Sequence, residues 1–166
     1  MSAETAAYIH REFPRVEREI STVRGLRGAR RGRGQSEGER AGAFRRVRQI
    51  AAPIVEHVFS QVEDMIEKVE VAFAVEEIMP LGDDVWFKGL MVLDAARRSL
   101  DAISGPFREQ AKTSVTLRQV IWPSEWATRY DALSDAIEDY SETIALGLDE
   151  QTRNDLRERL ASTRPR

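Results

Sequence analysis

Apolar residues fall at Ile9, Phe13, Val16, Ile20 and Val23, with spacings of 4, 3, 4 and 3. Side chains three and four positions apart share one face of an α-helix, so this run predicts an amphipathic helix close to a heptad seam. Pro14 lies inside it and is expected to kink the helix or to mark its start, because proline lacks the backbone donor and crowds the preceding turn. The same period resumes at Phe44, Val47, Ala51, Ile54, Val58, Val62, Met65, Val69 and Phe73 and continues to about Met79. Pro53 is expected to kink or divide this second helix, and Pro80-Leu81-Gly82 reads as the turn that ends it.

Asp83 or Asp84 is then placed to cap a third helix with Trp86, Leu90, Leu93, Leu100 and Ile103 on its buried side, ending at Gly105-Pro106. Residues 107–122 carry a β-type stretch, Thr113-Ser114-Val115-Thr116-Leu117, yet Phe107, Ala111, Val115 and Val120/Ile121 suit a helix. Helix is the better assignment, since a lone strand has no sheet to join. Pro123-Ser124 opens the clearest segment: Trp126, Tyr130, Leu133, Ile137, Tyr140 and Ile144 recur at 4, 3, 4, 3 and 4, with Gly147 at the expected C-terminal cap. Asp149 caps a short last helix carrying Leu156 and Leu160, and residues 163–166 read as a frayed tail.

One stretch breaks the pattern. Residues 24–40 hold five glycines and six arginines, and glycine at that density disfavours a helix by about 1 kcal/mol per residue against alanine. A flexible Arg/Gly-rich loop is expected there. The prediction is an all-α protein, a single domain over 1–166, built as a mainly antiparallel bundle of four to five amphipathic helices with that one loop.

Composition narrows the chemistry more than it identifies it. The chain has no cysteine and two histidines, His10 and His57, which excludes disulfides, thiolate nucleophiles and cysteine metal sites. It contains no phosphate-binding glycine loop, no nucleophile elbow and no Glu-x-x-His pair of the kind di-iron bundles use. The reading is therefore non-enzymatic, with no catalytic residue, metal or cofactor assigned. The N-terminus lacks a secretory layout and no apolar run is long enough to span a bilayer, so the expected location is cytoplasmic, without a membrane partner.

The net charge of −3 conceals an asymmetry: residues 1–50 carry 12 Arg against 6 Glu, whereas residues 51–166 carry 13 basic against 22 acidic groups. Two partner surfaces follow. Arg27, Arg30, Arg31 and Arg33, continued by Arg45, Arg46 and Arg48, would contact nucleic acid or an acidic partner, because guanidinium groups displace counterions from phosphates. The segment lacks aromatic residues to stack on bases, and a solvated linker explains its composition equally well. Asp131, Asp135, Glu138 and Glu142 recur at 4, 3 and 4 along one helix face and would receive a basic protein, as an inhibitor, antitoxin or nucleic-acid mimic does. Glu63, Glu67 and Glu70 repeat the device on the second helix, where relief of like-charge repulsion is expected from the Arg arm, a basic partner or water. Two heptad-like seams add the expectation of self-association or docking onto another helical protein, as a scaffold or one subunit of a larger assembly. A bundle enzyme or ligand carrier is the distant third reading. Of the two indoles flanking Pro123, Trp122 and Trp126, one is expected to be partly exposed and so a candidate interface anchor.

Overall fold

The computed structural model describes residues 3–28 and 36–162, which form six helices: α1 (Ala3–Gly28), α2 (Ser36–Glu76), α3 (Asp83–Ala111), α4 (Val115–Ile121), α5 (Ser124–Gly147) and α6 (Glu150–Ser162). Among the described residues there is no strand, so the all-α bundle is as predicted. The described helices number six against the expected four to five: the short last helix is present, and the 107–122 stretch divides between the end of α3 and the separate seven-residue α4. No described helix is long and apolar enough to cross a membrane.

Side-chain pairs give the directions. Thr5 donates to Gln61, the Tyr8 ring lies 4.5 Å from His57, and Arg46 reaches Glu19 at 3.4 Å, so α1 runs antiparallel to the first part of α2. Phe73 and Trp86, 4.9 Å apart, close the antiparallel α2–α3 hairpin. Gly89 beside Ile144, Arg97 bonded to Ser134 and Arg108 over Tyr130 show that α3 runs antiparallel to α5. Contacts of α5 with α2 climb together from Glu125–Arg48 to Tyr140–Glu70, so those two helices are parallel. The 41 residues of α2 span about 60 Å, long enough to serve as the common spine for α1, α3 and α5.

One continuous core runs along that spine. It joins Val16 and Ile20 of α1, Ile54, Val58 and Phe59 of α2, Leu93, Leu100 and Phe107 of α3, and Ile137 and Ile144 of α5. These are the positions of the 3–4 periodicity, and their burial is what stabilises the helices against solvent.

Several predicted boundaries move. Pro53 does not divide α2, and Gly105-Pro106 does not end α3, which continues to Ala111 because Phe107 and Ala111 extend its buried stripe. Pro14, likewise, is interior to α1. Pro14 and Pro53 are exposed, so the carbonyls they leave without an intrahelical donor lie on a solvated side. Neither Asp83 nor Asp84 caps α3: Gly82 is the N-cap, and the two carboxylates sit in the first turn, where the helix dipole favours them. The chain leaves α5 through an extended Leu148 rather than a left-handed glycine at 147. The β-type stretch at 113–117 is an N-terminal cap: the Ser114 hydroxyl accepts the Leu117 N–H at 3.2 Å. Helix also occupies 24–28 and 36–40, both assigned to the loop, because α1 and α2 each extend one turn or more beyond their last seam residue.

Asp149 caps α6 as predicted, accepting the Thr152 N–H at 2.8 Å. That hydrogen bond lowers the Asp149 pKa below the ordinary carboxylate value. A folded-state pKa that is depressed contributes stability above the unfolded value, and the contribution is lost as pH falls through the folded one. Because α6 packs little against the other helices, acid is expected to fray α6 before the bundle unfolds. The check is the Thr152 amide resonance followed through an acid titration, with Asp149→Asn removing the transition.

Candidate interaction surfaces

The seven arginines of the predicted basic surface do not form one free patch. Arg30, Arg31 and Arg33 lie outside the described residues, as does the predicted tail at 163–166, and only the backbone of Arg27 is described, in the last turn of α1. On α2 the three arginines differ. Arg45 is exposed and has no ion-pair partner among the described residues. Arg46 is engaged by Glu19 at 3.4 Å. Arg48 pairs with Glu125 and lies over the Trp126 ring, 5.3 Å from its centre, so it ties α2 to the start of α5.

The acidic stripe of α5 is different. Asp131, Asp135, Glu138 and Glu142 are all exposed, and none has an ion pair among the described residues. Their side chains point away from Leu133, Ile137 and Ile144, which are buried on the opposite side of the same helix. Asp139 is exposed beside them and widens the face. The sequence reading missed it because Asp139 falls outside the 4, 3, 4 period, although its adjacency to Glu138 was visible.

The α2 carboxylates follow another course. Arg129 of α5 makes a bidentate contact to Glu63 at 2.9 and 3.0 Å and a further bond to Glu56 at 2.6 Å. Its guanidinium also lies 5.1 Å from the centre of the Phe59 ring. Hydrogen bonding to Glu63 raises the Arg129 pKa above its ordinary value, partial burial opposing and Glu56 adding to the rise. Glu70 accepts the Tyr140 hydroxyl at 2.8 Å, and this bond, reinforced by desolvation, raises the tyrosine pKa. Among Glu63, Glu67 and Glu70, relief of the repulsion therefore comes from Arg129 and Tyr140 on the neighbouring helix, while Glu67 and the adjacent Asp64 stay exposed without an ion pair among the described residues.

Between α3 and α5 lies a groove of about 510 Å³ with Leu90, Leu93 and Ile137 as its floor and Glu138 and Glu142 on one wall. Arg97 at the opposite wall is committed, donating to the Ser134 hydroxyl at 2.6 Å and its carbonyl at 3.3 Å. The groove thus leaves its two α5 carboxylates free.

Both indoles around Pro123 are buried, Trp122 at 8% and Trp126 at 4% exposure, which corrects the expectation of a partly exposed one. Arg108 covers Trp122 and Tyr130, and Arg48 covers Trp126, so cations occupy the aromatic faces that a partner would use. Trp86 is the less buried indole, packed on Phe73 at the far end of the bundle. Among the described residues no three His, Asp or Glu side chains converge as metal ligands, and His10 and His57 are both exposed. Comparison of the chain with known protein families, curated proteins and solved structures finds no match.

Proposed function

We propose that this protein is a non-enzymatic helical binding module of the cytoplasm whose α5 face receives a basic protein surface. The observation that carries the reading is the contrast between the two acidic stripes. On α2, Glu63 and Glu70 are bonded by Arg129 and Tyr140. On α5, Asp131, Asp135, Glu138 and Glu142 remain exposed and without ion pairs among the described residues. Like charges at helical spacings repel by a few tenths of a kcal/mol per pair, and a cationic partner converts that repulsion into attraction. The same field steers a basic partner in, so association should weaken as salt rises.

The test uses a lysine-rich helical peptide without apolar residues, titrated by calorimetry at low and moderate salt. The variant Asp131→Asn, Asp135→Asn, Glu138→Gln, Glu142→Gln is expected to bind it about tenfold more weakly, the scale of a few rim charges at about 0.5 kcal/mol each. Replacing Arg27, Arg30, Arg31 and Arg33 with Ala should leave that affinity unchanged. Equal binding by the wild type and the α5 variant would sink the reading.

A second reading rests on the free, exposed Arg45 at the start of α2, beside a segment with six arginines. In it the protein is a scaffold subunit whose Arg-rich arm contacts nucleic acid or an acidic partner. Binding to generic DNA or RNA that weakens with salt and disappears with the four arginine changes would favour it over the first.

A further inference from the structure

We infer that the acidic end of the bundle holds an anchor pocket: the cleft between Phe73, Trp86 and Ile144 takes a large apolar side chain of a cationic amphipathic helix. The inference rests on the reading of α5 as the docking face for a basic partner, and it specifies that partner as a helix with an apolar seam. The cleft sits where α2 and α5 finish and α3 begins, about a quarter-turn round α5 from the Glu142 stripe, with Thr143 and Gly147 on its rim.

Its dimensions select the occupant. At about 220 Å³ the cleft is smaller than the roughly 300–1,000 Å³ of pockets that enclose small-molecule ligands, and it matches a single side chain. Phe73, Trp86 and Ile144 form its apolar walls, and Glu76, whose carboxylate accepts the Leu81 N–H, lines it as well. Phe73 is 4.9 Å from Trp86 and 5.4 Å from Tyr140 between ring centres. Gly89 of α3 packs beside Ile144, where a Cβ would stand in ordinary contact at 3.5 Å from the Ile144 Cδ1. At Gly147 a Cβ would meet nothing within 4 Å, so the mouth is open on that side.

The surroundings are apolar and acidic together. Six large apolar side chains are exposed among the described residues, and four of them, Ile78, Met79, Val85 and Leu146, belong to this end of the bundle. Ile78 is 88% and Leu146 80% exposed, whereas single exposed apolar residues elsewhere call for no explanation. Glu77, Asp83, Asp84 and Glu142 are exposed around them without ion pairs among the described residues, and Lys88 is the one basic residue between positions 76 and 90. An apolar seam flanked by Lys or Arg satisfies both features at once. A second copy docking tip to tip would instead set Glu77, Asp83 and Asp84 against their own counterparts, and an acidic amphipathic helix would meet the same repulsion.

The experiment uses the full chain and three tryptophan-free helical peptides: one with a leucine seam and lysine flanks, one with the same lysines but glutamine in the seam, and one with the leucine seam and glutamate flanks. Because Trp122 and Trp126 are buried, changes in emission report chiefly on Trp86. The leucine–lysine peptide is expected to bind about tenfold tighter than its glutamine counterpart, the scale of burying one apolar side chain, and it alone should shift the emission. Thr143→Phe and Gly147→Leu fill the cleft from exposed rim positions. Each should abolish the tenfold advantage while leaving the charge-only peptide's affinity and the unfolding midpoint intact. Equal affinity of the two lysine peptides for the wild type overturns the anchor and leaves the α5 reading standing. So does an advantage that survives both filled variants, tight binding of the glutamate-flanked peptide, or a dimer in sedimentation that Thr143→Phe dissolves. Failure of both lysine peptides to bind overturns the α5 reading and the anchor together.

Discussion

Truncating Phe59 to alanine is expected to cost the bundle about 3–5 kcal/mol, the range for deleting a fully buried aromatic side chain. Phe59 is 0% exposed near the middle of α2, the helix against which α1, α3 and α5 all pack. The Arg129 guanidinium covers one side of its ring, so a void there is closed off by a charged group that has no reason to enter an apolar hole. Folded domains hold only about 5–15 kcal/mol of net stability, so the loss is about a fifth of the total even at the favourable end. Urea denaturation followed by circular dichroism provides the check. The midpoint should fall sharply with an unchanged slope, because the surface exposed on unfolding barely changes. Phe59→Leu keeps most of the volume and should cost less than about 1.5 kcal/mol. A loss below 1 kcal/mol for Phe59→Ala would mean that the layer between α2 and α5 repacks freely.

Arg129→Ala is expected to cost about 2 kcal/mol, on the scale of hydrogen bonds between charged groups. The side chain is 33% exposed and its carboxylate partners 44–50%, which places the cluster below the 3–5 kcal/mol of a fully buried pair. It still exceeds an ordinary surface pair, because one planar guanidinium bonds Glu63 through two nitrogens, bonds Glu56 through a third, and stacks over Phe59. Removing it also leaves Glu56 and Glu63 facing α5 without their cation. Arg129→Lys should recover only a fraction, since an ammonium cannot reproduce the fork. A double-mutant cycle with Glu63→Gln should give a coupling of about 1 kcal/mol. Additivity of the two substitutions would assign the cost to the Glu56 bond and to packing on Phe59.

The candidate surfaces were legible in unequal measure. The exposed stripe from Asp131 to Glu142 was readable because helical spacing alone places these residues opposite the Leu133–Ile137–Ile144 seam. Whether a charge is free is a different matter, since a cation anywhere in the chain can meet it. Glu63 and Glu70 follow the same spacing as the α5 stripe, yet they are bonded by residues 66 and 70 positions away. Arg46 and Arg48 belong to the same cluster as Arg45, yet Glu19 and Glu125 reach them from two other helices. The cleft at Phe73, Trp86 and Ile144 had no sequence signal, because each of those residues reads as an ordinary seam position on its own helix.

What the sequence by itself determined is the helical architecture and the inward face of each helix. Spacings of 3 and 4 are local quantities set by the geometry of one helical turn, and the buried residues from Val16 to Ile144 follow them. Its punctuation was weaker evidence. Pro53 and Pro106 sit inside continuous helices because core contacts on either side outweigh one missing backbone bond. Only the tertiary structure decided that α5 runs parallel to α2, that Arg129 and Tyr140 engage Glu63 and Glu70, and that three helix ends enclose a cleft walled by Phe73, Trp86 and Ile144. Each of these depends on the distance between residues far apart in the chain, which periodicity along one helix does not encode.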